Sequence, residues 1–553
     1  MSGVHDSPHL RWITLAIVTL GVLMATIDSS IVLIALPDIF HGIGLDPLQP
    51  QNTYYLLWLI LGFLVVTSVL VVSLGRLGDL FGRVRIYNAG FGVFTFFSLL
   101  LSITWMHGHA AALWLIIMRL FQALGAAMLT ANSSAILTDA FPSNQRGLAM
   151  GINQAAAFSG SFIGLVVGGL VAPHDWRLIF LISVPVGLVG TVWGYRSLRE
   201  QGERHPSPID WVGNVTFALA MVVLLVGLTD GIEPYRGHAM GWTNPVVGVC
   251  VGLGLALFAA FVLIERRVDE PMLRLSLFRI RPFSAGIVAS FLAALSRGGL
   301  MFLLIIWLQG VWLPVHGYDF ARTPLWAGVA ILPLTIGMLI SGPLSGHLSD
   351  RFGARYFASG GMAMTGVCFA ALAFLPVNFH YWVFALVLFA TGLSMAAFGS
   401  PNRAAVMNAL PSRHRGTGSG INTTAQNSAQ VLAIGLFFTL MTLGFSSGSG
   451  PHLFAELVAH GVPVAEARHA TSLSPISTLF SAFLGFNPVA HLVSASTLAH
   501  LTGAQRAILL GRAFFPSVIT TSFHNGLRIA LTFSVAMSFL SAAASWVRGP
   551  RTA

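Results

Sequence analysis

The sequence predicts an all-α, polytopic membrane protein with fourteen spans, and three observations carry that expectation. The 553 residues are 55% hydrophobic and only 9% charged, with a mean hydropathy of +0.79. An average soluble domain is about 25% charged, so this chain lacks the polar residues to cover a water-facing surface of its own size. The apolar residues also fall into runs of the length that crosses a bilayer, about 20 residues. Finally, all 29 Lys and Arg positions are Arg, and most of them sit in short loops between the runs. A soluble enzyme, a disordered or collagen-like chain and a disulfide scaffold are excluded on this composition. The two cysteines, Cys250 and Cys368, lie inside apolar runs and read as small buried hydrophobes.

Taken in order, the predicted spans are 11–36, 53–74, 86–106, 110–138, 147–172, 177–196, 211–229, 245–265, 284–311, 324–348, 356–376, 380–402, 416–444 and 525–547. Each is an apolar run long enough to span, bounded by loops that carry Arg or turn-forming residues. The stretch 444–525 holds two further semi-apolar runs, Thr478–Ser494 and Ala507–Thr520, which read as surface-lying or re-entrant helices in one long loop. An even count puts both termini on one side. With that side cytoplasmic, twenty Arg lie inside or at the inner edges, Arg403 among them, and six lie outside: Arg177, Arg236, Arg322, Arg468, Arg506 and Arg512. This bias fits the positive-inside rule. The cations are spread over loops rather than clustered on a face, so nucleic acid is not an expected partner. Residues 1–11 have no basic run followed by a short apolar one, and nothing there resembles a cleavable signal peptide.

The chain repeats itself. Pro142-Ser143-Asn144-Gln145-Arg146-Gly147, then Gly151-Ile152-Asn153, matches Pro411-Ser412-Arg413-His414-Arg415-Gly416, then Gly420-Ile421-Asn422, at an offset of 269. Gly75, Leu77, Asp79, Phe81 and Gly82 match Gly346, Leu348, Asp350, Phe352 and Gly353 at an offset of 271. Spans 1–6 and 9–14 are therefore expected to be repeats, with spans 7 and 8 inserted. The predicted units are an N-terminal six-helix bundle (1–200), a two-helix insert (201–282) and a C-terminal six-helix bundle (283–553) that includes the loop 444–525.

These residues resemble the major facilitator superfamily, and within it the fourteen-helix drug:proton antiporters. Gly75-Arg-Leu77-Gly-Asp79-Leu-Phe-Gly82-Arg83-Val-Arg85 is similar to the superfamily's cytoplasmic signature between spans 2 and 3. Arg119-Leu-Phe-Gln122-Ala-Leu-Gly125, Asp28-Ser-Ser-Ile-Val-Leu-Ile-Ala35-Leu36-Pro37 and the run Trp176 to Gly187 resemble antiporter patterns in spans 4, 1 and 6. The sequence departs from the family where Leu165 replaces an expected proline, Ser183 replaces a common Asn, and span 13 has no carboxylate. The resemblance implies a major-facilitator fold and proton-coupled efflux of hydrophobic or amphipathic compounds by alternating access. The direction of transport is not fixed by sequence, which leaves a proton-coupled importer or facilitator as the alternative. A membrane-embedded lipid-handling enzyme or receptor would need a catalytic constellation that the sequence does not offer.

An ionised side chain within a span is expensive, so such residues are functional candidates. Asp28 lies roughly 12 Å below the outer end of span 1, and Arg119 roughly 14 Å along span 4, at 1.5 Å per residue. A guanidinium beside Asp28 favours the carboxylate while burial favours the acid, and a proton carrier needs that competition. Gln122, one turn from Arg119, is a candidate partner for it. Arg297 stands near the middle of span 9 with no acid within a turn, and could meet an anionic substrate, Asp28, or backbone carbonyls. Asn422, Gln426 and Gln430 share one face of span 13, and Asn153 and Gln154 occupy the related place in span 5. All are cavity or interhelical candidates. Gly75, Asp79, Gly82, Arg83, Arg85, Asp350, Arg351 and Arg355 are expected to act as cytoplasmic latches, with the acids capping helix ends or pairing with the arginines. Gly160, Gly164, Gly168 and Gly169 provide a small-residue stripe for close helix packing.

Gly444-Phe-Ser446-Ser-Gly448 matches a nucleophile elbow but follows no strand. His107 and His109 lack a third ligand nearby, and there is no phosphate loop. No metal or cofactor is expected. The expected partners are the lipid bilayer, protons and a small amphipathic substrate in the bacterial inner membrane. Whether a periplasmic adaptor takes part is not legible.

Overall fold

Apolar runs inside hydrocarbon must satisfy their backbone groups within the segment, and a helix does so. The computed structural model describes residues 8–549 except 46–49, 143–144, 201–209, 232–234, 237–239, 269–270, 272, 320–321, 411–414, 447–448, 471–477, 480, 482–486 and 512. The first half holds α1 (Pro8–Ile43), α2 (Pro50–Phe81), α3 (Arg83–Ser102), α4 (Gly108–Ala140), α5 (Arg146–Val171) and α6 (Leu178–Ser197). Two helices follow, α7 (Trp211–Asp230) and α8 (Pro245–Glu265). The second half holds α9 (Arg281–Val315), α10 (Thr323–Ser349), α11 (Ala354–Phe374), α12 (Tyr381–Asn408), α13 (Arg415–Ser446) and α14 (Phe514–Val547). Among the described residues, thirteen helices are long and apolar enough to cross a membrane. The 32-residue α2 stands at the place of the second predicted span.

The packing repeats as the sequence does. In the first half α1 packs on α4, α5 and α6, α3 on α4 and α6, and α2 on α4. Eight helices later the same pairings recur: α9 on α12, α13 and α14, α11 on α12 and α14, and α10 on α12. The halves meet through α2 on α13 and α5 on α10, which are themselves related by the repeat. The inserted α7 and α8 pair with each other, and α7 leans on α2 and α13. At the turns between α2 and α3 and between α10 and α11, Gly82 and Gly353 have φ of 108° and 95°, a region that a side chain disfavours.

The structure moves one span boundary and adds detail in two other places. The last span was expected at 525–547, but α14 begins at Phe514, so residues 514–520 of the supposed surface run Ala507–Thr520 belong to it. The reason is local: Phe514, Phe515 and Ile519 are buried and hold that end to the protein. The ninth span is not a uniform α-helix, because Ile306–Trp312 winds as a π-helix, the kind of local insertion that side-chain periodicity does not reveal. The long loop is built of short helices, including Ser449–Ala459, Val464–Ala470 and Gly503–Leu509. They gather Leu453, Leu457, Val462, Val489 and Leu509 into a small apolar core against Phe514 and Val518 of α14. The other run, Thr478–Ser494, falls largely outside the described residues, and its described helix is Val489–Leu492. Outside the spans, Glu466 accepts hydrogen bonds from Thr497 and Ser494, which hold its carboxyl below the usual range.

The glycine stripe explains the closeness of α1 and α5. A Cβ on Gly160 would strike Thr26, one on Gly164 would strike Ser30 and the Ile27 carbonyl, and one on Gly168 would strike Ile31 and Ile34. Gly169 points elsewhere: its Cβ would lie 2.5 Å from the Leu325 backbone on α10, in the other half. Gly164→Ala is therefore expected to lower stability by about 1–3 kcal/mol through overpacking. Gly151→Ala, at a helical position with open space around it, should be neutral or slightly stabilising. Thermal unfolding of the purified protein in detergent compares the two, and equal melting temperatures would refute this account of the stripe.

Candidate functional site

Asp28 is fully buried, at 0% exposure, and Arg119 is 2% exposed. Helix α1 carries the acid and α4 the base, and the close packing of α1, α3 and α4 brings their polar groups together. The Arg119 Nη1 group donates to an Asp28 carboxylate oxygen in an ion pair and to Gln122 Oε1 at 2.8 Å. Gln122 Nε2 donates to Asp28 Oδ1 at 2.9 Å and to Ser98 Oγ of α3 at 2.8 Å. The Phe63 ring of α2 lies 4.4 Å from the guanidinium carbon. Arg119 Nε is buried without a hydrogen-bond partner. A proton on Asp28 would cancel its attraction for Arg119, so proton binding and the ion pair oppose each other at one carboxylate.

The other span residues lie apart from this cluster. Asn153 donates to Ser133 Oγ of α4 at 3.1 Å. Gln154, one residue on, accepts from Arg403 Nη1 of α12 at 2.9 Å, across the boundary between the halves. On α13, Asn422 is buried with an unpartnered Oδ1, Gln426 is half-buried and Gln430 is exposed. Arg297 is half-buried on α9. It does not pair with Asp28, whose described partners are Arg119 and Gln122, and the next residue, Gly298, packs on the Gln430 backbone. The 269-residue offset of the repeat carries Asp28 onto Arg297, so related positions hold opposite charges.

At the turn between α2 and α3, Arg83 Nη1 pairs with Asp139 Oδ2 of α4 at 2.7 Å. Glu200 accepts from the first backbone N–H groups of α3, at 3.0 Å from Arg83 and 3.1 Å from Val84. Those two acids, neither in the signature, were missed by sequence reading. A carboxylate just past α6 is a visible signal for a helix N-terminus, but its target is not. In the second half the Arg355 guanidinium lies 3.9 Å from the centre of the Trp546 ring, Arg351 lies beside Phe352, and Arg85 is exposed. The side chains of Asp79 and Asp350 lie outside the described residues, and nothing crowds Gly75.

Arg403, expected at the cytoplasmic edge, is exposed near the end of α12, which closes at Asn408, and its guanidinium donates to Gln154 of α5. Sequence reading also missed Ser98 and Gln309. The latter is 0% exposed in the π-helical stretch of α9, and neither end of its amide has a partner. Among the described residues no group of three or more metal-ligating side chains occurs. His109 bonds Asn52 at 2.9 Å and stacks on Tyr55.

A sequence profile of the Major Facilitator Superfamily matches residues 18–434. The chain is 28% identical to multidrug resistance protein Stp of Mycobacterium tuberculosis, over 97% of this chain and 98% of that protein. It is 29% identical to the tetracenomycin C resistance and export protein of Streptomyces glaucescens, over 80% of this chain and 77% of the other. It is also 27% identical to riboflavin transporter RibZ of Clostridioides difficile, over 85% and 97%. Among solved structures, a bacterial homologue of the human lysosomal transporter Spinster covers 99% of this chain with a TM-score of 0.59 and 16% identity, a likeness of fold.

The geometry of the buried pair sets a stability test. Arg119→Met leaves Asp28 charged or forces it to protonate, and is expected to cost about 3–5 kcal/mol. Joining it to Asp28→Asn should recover much of that loss. Unfolding of the four members of this double-mutant cycle measures the coupling, and additive losses would refute a direct pair.

Proposed function

Because the chain belongs to the Major Facilitator Superfamily, and so is a transporter rather than an enzyme, we propose that it exports small amphipathic compounds by alternating access, in exchange for protons taken up at Asp28. The observation that carries the coupling is a fully buried carboxylate whose ionised form is held by one guanidinium and one amide. Export is supported by relatives named for multidrug resistance and for tetracenomycin C resistance and export. A relative named as a riboflavin transporter favours a second reading, uptake of a small metabolite. The protein is a multi-pass membrane protein, and we place it in the bacterial inner membrane with both termini cytoplasmic, as its Arg distribution supports. The turns at Gly82 and Gly353, with Arg83 and Arg355, serve in this reading as latches on the cytoplasmic side.

The test is intravesicular pH in proteoliposomes holding wild type or Asp28→Asn, challenged with amphipathic cations, anions and lipids. Wild type is expected to move protons when substrate is added, and the folded variant to lose that signal. An unchanged signal in Asp28→Asn would make the acid structural. The sign of the proton movement against an imposed substrate gradient separates exchange from uptake.

A further inference from the structure

The segment between α13 and α14 plays no part in the transport reading, yet it is folded. Glu466 holds its chain together, accepting from the Ser494 backbone N–H at 3.0 Å, the Ser494 hydroxyl at 2.8 Å and Thr497 at 2.7 Å. One face of the segment closes an apolar core on Phe514 and Val518 of α14. Another face borders a groove of about 770 Å³, whose far wall is the turn between α9 and α10. That is the size of a small-molecule cleft, roughly 300–1,000 Å³. In the orientation proposed above, the groove opens on the outer side of the membrane.

The lining combines aromatic faces with negative charge. Tyr318 and Asp319 come from the turn, Glu456, His460 and Ile508 from the segment, and Phe514 from the start of α14. The Tyr318 ring is braced by Trp326 of α10, with centroids 5.6 Å apart. The His460 ring stands at 80° to Phe514, with centroids 5.7 Å apart, and its Nδ1 donates to the Glu456 carbonyl at 2.8 Å. The same nitrogen lies 3.7 Å from the Glu456 carboxylate, whose side chain is 49% exposed. Two acidic residues thus line the groove, and no arginine does among the described residues; Arg512 lies outside them. Carboxylates repel an anion, and aromatic faces attract a weakly hydrated cation. A large apolar cation suits both features at once, whereas a neutral compound would leave the acids against apolar surface.

We propose that this groove is a binding site for an amphipathic organic cation, its charge met by Asp319 and Glu456 and its apolar groups by Ile508, Phe514 and the rings of Tyr318 and His460. The site is distinct from Asp28, which is buried within the first half. It also goes beyond the transport reading, since it stands for an exporter and an importer alike. The far wall includes Pro314, two residues after the π-helical stretch Ile306–Trp312, so an occupant bears on the outer end of α9.

The test uses tetraphenylphosphonium and tetraphenylborate, which share a shape and differ in charge, on the full chain in phosphatidylcholine nanodiscs. Ile508→Cys is reacted with a membrane-impermeant maleimide, and mass spectrometry of the peptide that holds position 508 separates it from Cys250 and Cys368. The phosphonium is expected to slow labelling by about tenfold at saturation, and the borate to leave it unchanged. Asp319→Asn and Glu456→Gln should each raise the phosphonium concentration needed for half-protection by about threefold, and the two together by about tenfold. Ala507→Cys, on the same wall, is a second reporter should Ile508→Cys not elute as wild type on size exclusion. Each single acid variant that elutes as wild type is a sufficient test without the double one. Labelling unaffected by the phosphonium, equal protection by the borate, or protection unchanged in the acid variants overturns the inference. Protection requires no transport, so its failure leaves the vesicle assay above untouched, and a vesicle assay without transport leaves the groove standing.

Discussion

A charge within a membrane span needs a counter-charge, hydrogen-bonding groups or a water-filled cavity beside it. The first half meets that need internally, with Asp28 closed by Arg119, Gln122 and, through the amide, Ser98. Gln122 matters as much as the ions, since it satisfies Asp28 and Arg119 at once and ties both to α3. In the second half Arg297 is half-buried and Arg403 exposed, and neither meets a carboxylate among the described residues. A scaffold that repeats its packing pair for pair thus carries a buried ion pair in one half and partly or fully exposed arginines in the other.

The fold supplies the mechanical side through small residues rather than through hydrophobic attraction, which is weak between helices already in lipid. Gly160, Gly164 and Gly168 let α5 lie directly on α1. Gly169 and Gly328 then let α5 lie on α10, so a single helix is in backbone-level contact with both halves. The same economy recurs where Gly444 of α13 meets Gly526 of α14. Surfaces of this kind, smooth and without interlocking side chains, allow two bundles to rock without unpacking.

Much of this was legible in the sequence, for reasons particular to membranes. Hydrophobic length alone locates spans, and two motif pairs at nearly one offset announced the repeat that the helix pairings display. Asp28, Arg119 and Gln122 could be singled out because charge is rare in apolar helices. What escaped is what depends on the third dimension. The π-helical turn leaves the apolar run of α9 unbroken, so nothing marked Gln309. Residues 514–520 look amphipathic in isolation and join α14 only because Phe515 and Ile519 find a core to enter. Arg403 was expected at the cytoplasmic edge because the positive-inside rule sorts arginines by their nearness to a helix end, and that rule is blind to its bond with Gln154 of the other half. The partners of Arg83 were hidden for the same reason: Asp139 and Glu200 are near it in space and far from it in sequence.

The placement of Asp28 and the two arginines constrains how one half could influence the other. Asp28 lies on α1 and touches no residue of the second half among its described bonds, so protonation cannot act on Arg297 or Arg403 by direct contact. The element that connects them is α5. Its glycine face rests on α1 within a turn of Asp28, at Ile27 and Ser30, and its opposite end offers Gln154 to Arg403. If Asp28 gains a proton and releases Arg119, α1 and α4 lose the bond that fixes their spacing, and the helix packed most closely against α1 is the one free to respond. A small tilt of α5 would then alter the contact of Gln154 with Arg403 at one end and of Gly169 with α10 at the other. In the proposed cycle, coupling would run through α5, the helix whose glycines bring it close to both α1 and α10.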